Sequence, residues 1–281
     1  SPGGDNWING NIIVDRDIFG SPDYGDFGIS MANGRIAFGA NDGSTGYTIY
    51  GSSNVADGAW HHVAAVRQTS GVLRVFVDGR LDASSASGPT GNLQYRNGRS
   101  LSEPQWTNEP FIVIAAEKHD YDPSSYPSFS GWIDELRISS AALYTNHFPP
   151  PTEPFHAGPA CVGLYHFDEG SGDTIADASG GGSDGIRKYG GTPAGPAWTN
   201  ATPFDTDTDG VLDHWEQTWF TNLTTAGAAT DFDGDGFTDR GEWLAGTGPR
   251  STVSAFVAAG VRSGASNVVI EWPALSNRVY N

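Results

Sequence analysis

The chain has 281 residues, room for one large domain or two to three smaller ones, and its 33 acidic against 15 basic residues give a net charge of −18. That balance, with no basic cluster, speaks against a nucleic-acid surface; the single cysteine, Cys161, leaves no intrachain disulfide, and no apolar run approaches the ~18 residues of a membrane span. Glycine at 38 positions and 12% aromatic residues, set among short apolar runs, indicate an all-β protein rich in turns.

Ser1-Pro2-Gly3-Gly4 has no signal-peptide character and reads as the interior of a longer chain or a processed end. From there to about residue 150 the pattern predicts strands at Ile12–Val14, Phe27–Met31, Arg35–Phe38, Tyr47–Tyr50, Trp60–Arg67, Leu73–Val77, Phe111–Ala115 and Trp132–Ile138. Asn33-Gly34 and Asp78-Gly79 are two-residue hairpin turns, because both central positions need a positive φ. Period-2 alternation puts Trp60, His62, Ala64 and Val66 on one face, and His61, Val63 and Ala65 on the other, so this strand is covered on both sides, as in a two-sheet sandwich. A His pair at i, i+1 on a strand cannot converge on one ion, and packing or hydrogen bonding is the expected role of His61 and His62.

Three segments together carry a resemblance: Asp57-Gly58-Ala59-Trp60-His61-His62-Val63-Ala64, Val75-Phe76-Val77-Asp78-Gly79-Arg80, and Gly131-Trp132-Ile133-Asp134-Glu135-Leu136-Arg137-Ile138. They resemble bacterial laminin-G-like domains of the concanavalin A-like jelly-roll superfamily, over about residues 8–150. The resemblance implies two packed antiparallel sheets with loops at the rims. It implies no single function, since relatives bind glycans, bind proteins or space other domains. The family usually opens with two or three further strands before the one at Ile12–Val14, and these are not evident here.

Two long insertions follow, Gly88–Pro110 and Glu117–Phe129, in the loops where binding is usually placed on such a scaffold. Trp106, Tyr121 and Tyr126 are the candidate rings for stacking on a sugar. Glycoside hydrolases of this superfamily place Glu, Asp and Glu on alternate residues of one strand; the nearest stretch here, Asp134-Glu135, points its side chains to opposite faces. No Ser/His/Asp signature, phosphate loop or zinc motif is present, and Cys161 sits in an apolar strand, which makes it inert. The segment Cys161–Phe167 alternates as one more strand and is expected to complete the sandwich.

The densest signal comes next. Asp205, Asp207, Asp209, Asp213 and Glu216 occupy positions 1, 3, 5, 9 and 12 of a loop with Gly210 at position 6. Asp231, Asp233, Asp235, Asp239 and Glu242 repeat the pattern around Gly236. Calcium takes six to eight oxygens at about 2.3–2.6 Å from a flexible loop. Alternate carboxylates, the position-7 carbonyls of Val211 and Phe237, and a two-oxygen glutamate at position 12 supply them. The loops resemble the loop-helix repeats of dockerins and the aspartate-rich thrombospondin type 3 repeats. Only outgoing helices are expected, from Asp213 to about Phe220 and around Glu242-Trp243-Leu244, because prolines and a Thr-Thr-Ala-Gly run precede the loops. A weaker expectation is a further calcium near Asp15, Asp17 or Asp134. Ser254–Val261 and Asn267–Trp272 read as strands of a β-domain that begins after the Gly246-Thr247-Gly248-Pro249 linker.

The sequence therefore predicts an all-β laminin-G-like jelly-roll sandwich over 1–204, tandem calcium loops over 205–250 with two calcium ions, and a partial β-domain over 251–281. The functional reading is a non-catalytic, calcium-stabilised, secreted or cell-surface module of a bacterial exported protein, whose partner is a glycan or a cell-surface protein. The alternatives are a structural subunit of a filament, sheath or surface layer, in which copies share strands and Asn267–Trp272 is the donor, and a glycan-active enzyme fragment.

Overall fold

Hairpins built on short local pairings form the first part of the fold. Strands β1 (Asn11–Arg16), β2 (Asp26–Ala32), β3 (Arg35–Asn41) and β4 (Gly46–Tyr50) run antiparallel in sequence order, and β5 (Val63–Arg67), β6 (Leu73–Val77) and β7 (Arg80–Ser84) form a second meander. Both predicted tight turns are present: Asn33 and Gly34 have φ of 54° and 75°, and Asp78 and Gly79 have φ of 48° and 71°. A short strand β8 (Val113–Ile114) pairs with β1 and completes a five-stranded sheet in the order β4-β3-β2-β1-β8. The chain is described here by a computed structural model over residues 7–18, 25–95, 110–119, 122, 124–187, 195–199, 202–254, 260–263 and 268–271.

Alternation puts Ile36, Phe38, Ala40 and Ile49 of the larger sheet against Leu73, Val75 and Val77 of the smaller, and all seven are buried. This is the core of a face-to-face sandwich. The opposite face of the larger sheet is covered by Trp7, which packs with Ile12, Ala32 and Ala37. Gly28 and Gly39 make room for it: a Cβ at either would fall 2.1 and 1.9 Å from the indole ring. Burying a ring of this size is among the largest single apolar contributions a small sheet can collect.

Several strands differ from the sequence expectation, and backbone geometry gives the reason. β5 starts at Val63 rather than Trp60, because the Asp78 carboxylate accepts from the His62 N–H at 2.9 Å in place of a ladder partner. β8 stops at Ile114, since Ala115 has φ of 66°. Glu135 has φ of 56°, so the expected strand from Trp132 begins only at Leu136, as β9 (Leu136–Ser139), and the opposite-face rule for Asp134 and Glu135 does not apply. β10 (Cys161–Tyr165) does not join the sandwich sheets as expected; it pairs with β9. The place beside β1 is taken by β8 and by the 127–128 segment, where the Ile12 N–H donates to the Pro127 carbonyl at 3.0 Å and Ile12 bridges Ser128.

The chain divides into two compact units, one drawn from Ser1–Ile133, Arg137–Pro151 and Ala157–Gly163, the other from Asp134–Leu136, Thr152–His156 and Leu164–Asn281. The second unit holds the small hairpin β11 (Thr174–Ile175) and β12 (Gly185–Ile186), then α1 (Asp213–Trp219), α2 (Asp239–Ala245) and a last hairpin of β13 (Gly260–Ser263) and β14 (Val268–Glu271). Val268–Glu271, the stretch read as a strand for donation to another copy, thus finds its partner in Gly260–Ser263 of its own chain. None of the helices among the described residues is long and apolar enough to cross a membrane.

Candidate functional site

Two places concentrate ionisable groups beyond what folding needs. The first lies at the end of β1, where Asp15, Arg16, Asp26, Glu117 and Lys118 are all buried. Asp15 accepts from the Asp17 N–H at 2.6 Å and the Lys118 N–H at 2.8 Å, which fastens β1 to the 117–119 turn. Burial, then the nearby charge of Asp17, pushes the Asp15 carboxyl up to about 7. The Lys118 ammonium donates to the Asp17 carbonyl at 3.0 Å and lies over Tyr95 and Phe111, 5.6 and 4.8 Å from the ring centroids. Arg16 faces Tyr95 from 5.2 Å, so this ring has two cations in contact with it. His119 Nδ1 lies 2.9 Å from Asp17 Oδ2. Asp17, Glu117 and His119 place one ligand atom each within 4.8 Å of one another; of the three residues named for a further calcium, Asp15, Asp17 and Asp134, only Asp17 belongs to this set. Trp106 and Tyr121 lie outside the described residues. Tyr126 is half-buried, its N–H donating to the Asp122 carbonyl at 2.9 Å in a neighbouring turn.

The second place is the pair of acidic loops, which share one hydrogen-bond plan. In the first, Asp205 accepts from the Asp209 and Gly210 N–H groups at 3.1 and 2.9 Å. In the second, Asp231 accepts from Gly234 and Gly236 at 2.8 and 2.9 Å. The position-5 carboxylates, Asp209 and Asp235, each accept from the position-7 N–H of Val211 and Phe237 at 2.9 Å. The position-9 carboxylates, Asp213 and Asp239, accept from the position-2 N–H of Thr206 and Phe232 at 2.7 and 3.1 Å. Gly210 and Gly236 have φ of 91° and 96°, as position 6 requires. The helices follow as expected; α2 is capped by Thr238, whose Oγ1 accepts from the Gly241 N–H at 3.1 Å.

Asp205, Asp213 and Asp231 accept through both carboxylate oxygens, whereas Asp209, Asp235 and Asp239 accept through Oδ1. Ligand atoms of Asp207, Asp209 and Glu216 lie within 4.8 Å of one another, as do those of Asp205, Asp207 and Asp213, and those of Asp231, Asp233 and Asp235. Glu216 is fully buried, yet neither of its carboxylate oxygens has a hydrogen-bond partner; Glu242 Oε2, Asp239 Oδ2, Asp233 Oδ2 and Asp235 Oδ2 are in the same state. A buried polar atom left unpaired costs about 1–3 kcal/mol, more for a charged one. Burial, then the charges of Asp209, Asp207, Asp213 and Asp205, pushes Glu216 up to about 8. Burial and the second loop's aspartates push Glu242 up to about 7, against the opposing hydrogen bond from Thr247. Inward-facing, unpaired oxygens at this density fit a hard divalent cation in each loop.

Elsewhere the ionisable groups serve structure. Glu135 accepts from the Phe155 N–H at 2.9 Å and pairs with His166 Nδ1 at 2.8 Å, while Asp134 accepts from Thr202 Oγ1 at 2.9 Å and is pushed up to about 6, chiefly by burial. The two neighbouring histidines part company. His62 is driven down to about 4 by burial. His61 is bracketed by Asp78 and Asp57 at 2.9 and 3.0 Å, and although burial works against its charge, the two carboxylates outweigh it and raise its pKa. A raised folded value means that the stabilisation is complete below the ordinary 6.5 and is lost as pH rises through the folded value. Wild-type protein is therefore expected to lose unfolding free energy relative to His61→Gln as pH rises above 6.5. Denaturant melts over a rising pH series check this, and parallel curves for the two proteins would refute it.

Comparison with known proteins bears on the first unit. The laminin-G family of the concanavalin A-like lectin/glucanases superfamily matches residues 6–147, half of the chain. The chain belongs to this family. The laminin-G-like segment thus takes in the sandwich and the buried charges at the end of β1, and the superfamily that contains it includes both lectins and glucanases. A solved structure of a candidate carbohydrate binding protein from Bacteroides ovatus is similar over 65% of this chain and 48% of its own, at 19% identity and a TM-score of 0.40. The laminin-G-like chain therefore spans about half of that protein's length. No curated protein matches it.

Proposed function

We propose that the chain is a non-catalytic, exported glycan-binding module whose second unit is held together by two calcium ions. The observation that carries the calcium half is Glu216: fully buried, raised to about 8, and without a partner for either oxygen. Asp205, Asp207, Asp209, Asp213 and Glu216, with the Val211 carbonyl, would hold one ion. Asp231, Asp233, Asp235, Asp239 and Glu242, with the Phe237 carbonyl, would hold the other. A bound ion would supply charge neutralisation and a fixed loop shape, with no chemistry of its own. A protein that relies on calcium in place of disulfides suits an extracellular setting.

Membership of a family within the lectin/glucanases superfamily supports the glycan half, together with the rim at the end of β1. There a half-exposed Phe111, Tyr95 and the carboxylate of Asp17 sit beside two cations. Sugars are bound by an apolar ring face plus hydrogen bonds to hydroxyls, and this rim offers both. The non-catalytic reading rests on where the carboxylates are engaged. Asp15 has no exposed surface to meet a substrate, and Asp134 and Glu135 already accept from Thr202, Phe155 and His166. The test is a polysaccharide panel run two ways on the purified chain. Retardation in affinity gels without release of reducing ends is expected; turnover that Glu135→Gln abolishes would replace this reading with the enzymatic one.

A further inference from the structure

The two calcium loops are tied to each other and to the linker that leaves them. The Ala228 N–H donates to the Asp209 carbonyl at 3.1 Å, and Arg240 Nε, on α2, donates to the Gly210 carbonyl at 3.2 Å. The rings of Phe220, just after α1, and Phe232, at position 2 of the second loop, meet edge to face at 5.0 Å. The linker Gly246–Ser254 then fastens back onto this assembly. Its Thr247 donates through N–H to the Glu242 carbonyl at 2.9 Å and through Oγ1 to the Glu242 carboxylate at 3.2 Å. Its Arg250 lies over both Phe220 and Phe232, at 5.9 and 5.3 Å, and donates to the Trp219 carbonyl at 3.0 Å. A Gly248 N–H to Ser254 Oγ bond of 2.7 Å closes the turn.

Both of the linker's anchors thus end on parts that move if the second loop opens: Glu242 closes that loop, and Phe232 sits between two of its carboxylates. We propose that Gly246–Ser254 is a calcium-dependent joint, stiff when the second loop is filled and loose when it is empty, so that ion occupancy sets how firmly the following β13–β14 segment is carried. The proposal rests on the calcium reading above. It needs no new ligand, because the coupling is the difference in anchor contacts between the filled and empty loop. An anchored linker resists proteases by denying them an extended backbone, and local opening restores the cut at a rate set by the open population.

Arg250–Ser251 is a tryptic bond in the middle of the joint. Timed trypsin digestion of the full chain is followed by mass spectrometry in saturating calcium and in chelator, with a reporter peptide correcting for trypsin's own calcium response and calorimetry counting bound ions. Cleavage after Arg250 is expected to speed up about tenfold or more in chelator, in line with the loss of local protection. Phe232→Ala keeps every proposed ligand; it should still bind two ions, yet be cut after Arg250 in calcium nearly as fast as the wild type is in chelator. Two ions bound with an unchanged cutting rate in the wild type would overturn the joint while leaving the calcium loops standing. No ions bound would overturn both.

Discussion

Removing calcium is expected to cost the second unit most of its stability. Without ions, ten carboxylates lie within two twelve-residue loops, and five of them hold buried oxygens without a hydrogen-bond partner. Binding to the folded state alone stabilises by RT ln(1 + [L]/Kd), about 2.7 kcal/mol for each site at a hundredfold excess over Kd. Two sites at that excess contribute about 5 kcal/mol, which corresponds to a fall in Tm on the order of 10–20 °C for a unit of this size when a chelator is added. Differential scanning calorimetry with and without chelator measures it, and titration calorimetry should count two ions. A melting profile unchanged by chelator, or fewer than two ions, would count against the assignment.

The same carboxyls give the pH dependence its sign. In the ion-free fold Glu216 and Glu242 stand at about 8 and about 7, above the ordinary 4.5. A raised carboxyl contributes stability below 4.5 that is lost as pH rises through the folded value, so the chelated protein should weaken steadily from about pH 5 to pH 8. Bound calcium, as proposed, should replace the protons and remove that slope, and apparent calcium affinity should climb over the same interval. A Glu216→Gln variant, neutral at every pH, should lose the slope contributed by the first loop and bind one ion in place of two.

What the sequence made legible is what depends on local spacing. Asn33-Gly34 and Asp78-Gly79 announced their turns because few residues other than Gly, Asn and Asp enter the left-handed region at low cost. The two loops share one hydrogen-bond plan because their carboxylates and glycines recur at the same offsets within twelve residues. The misses share a different cause. Ala115, Glu135 and Phe167 adopt positive φ without a residue type that signals it, so strand ends near them could not be placed. Thr208 does the same at position 4 of the first loop, φ 61°, where the second loop has Gly234 at 75°. The charges at the end of β1 were missed as a group, since Asp15 and Lys118 meet across 103 positions of sequence. Only the pairing of β1 with β8 brings them together. A buried Lys118 beside a buried Glu117 has no marker in composition or periodicity.

Where the proposed glycan would sit on the sandwich can be decided between two regions of the same unit. The two long insertions offer Trp106, Tyr121 and Tyr126, which the sequence favours on residue type. The end of β1 offers Asp17, Phe111 and Tyr95, which the structure brings together over a bed of buried charge. Partners already in place bind with less loss of conformational freedom, and the rim's groups are held by hydrogen bonds and ring contacts before any ligand arrives. Asp17→Ala removes a partly exposed acceptor and strands the His119 ring it pairs with. Hydrogen bonds to charged groups contribute about 1.5–3 kcal/mol, so glycan affinity should fall about ten- to a hundredfold. Tyr126→Ala and Trp106→Ala should change it by less than threefold, the scale of a side chain outside the contact. Affinity electrophoresis on each variant, with circular dichroism to confirm an intact sandwich, gives the comparison. If Asp17→Ala binds like the parent and Trp106→Ala does not, the ligand lies on the Gly88–Pro110 insertion and the buried charges at the end of β1 serve only to hold β1 against the 117–119 turn.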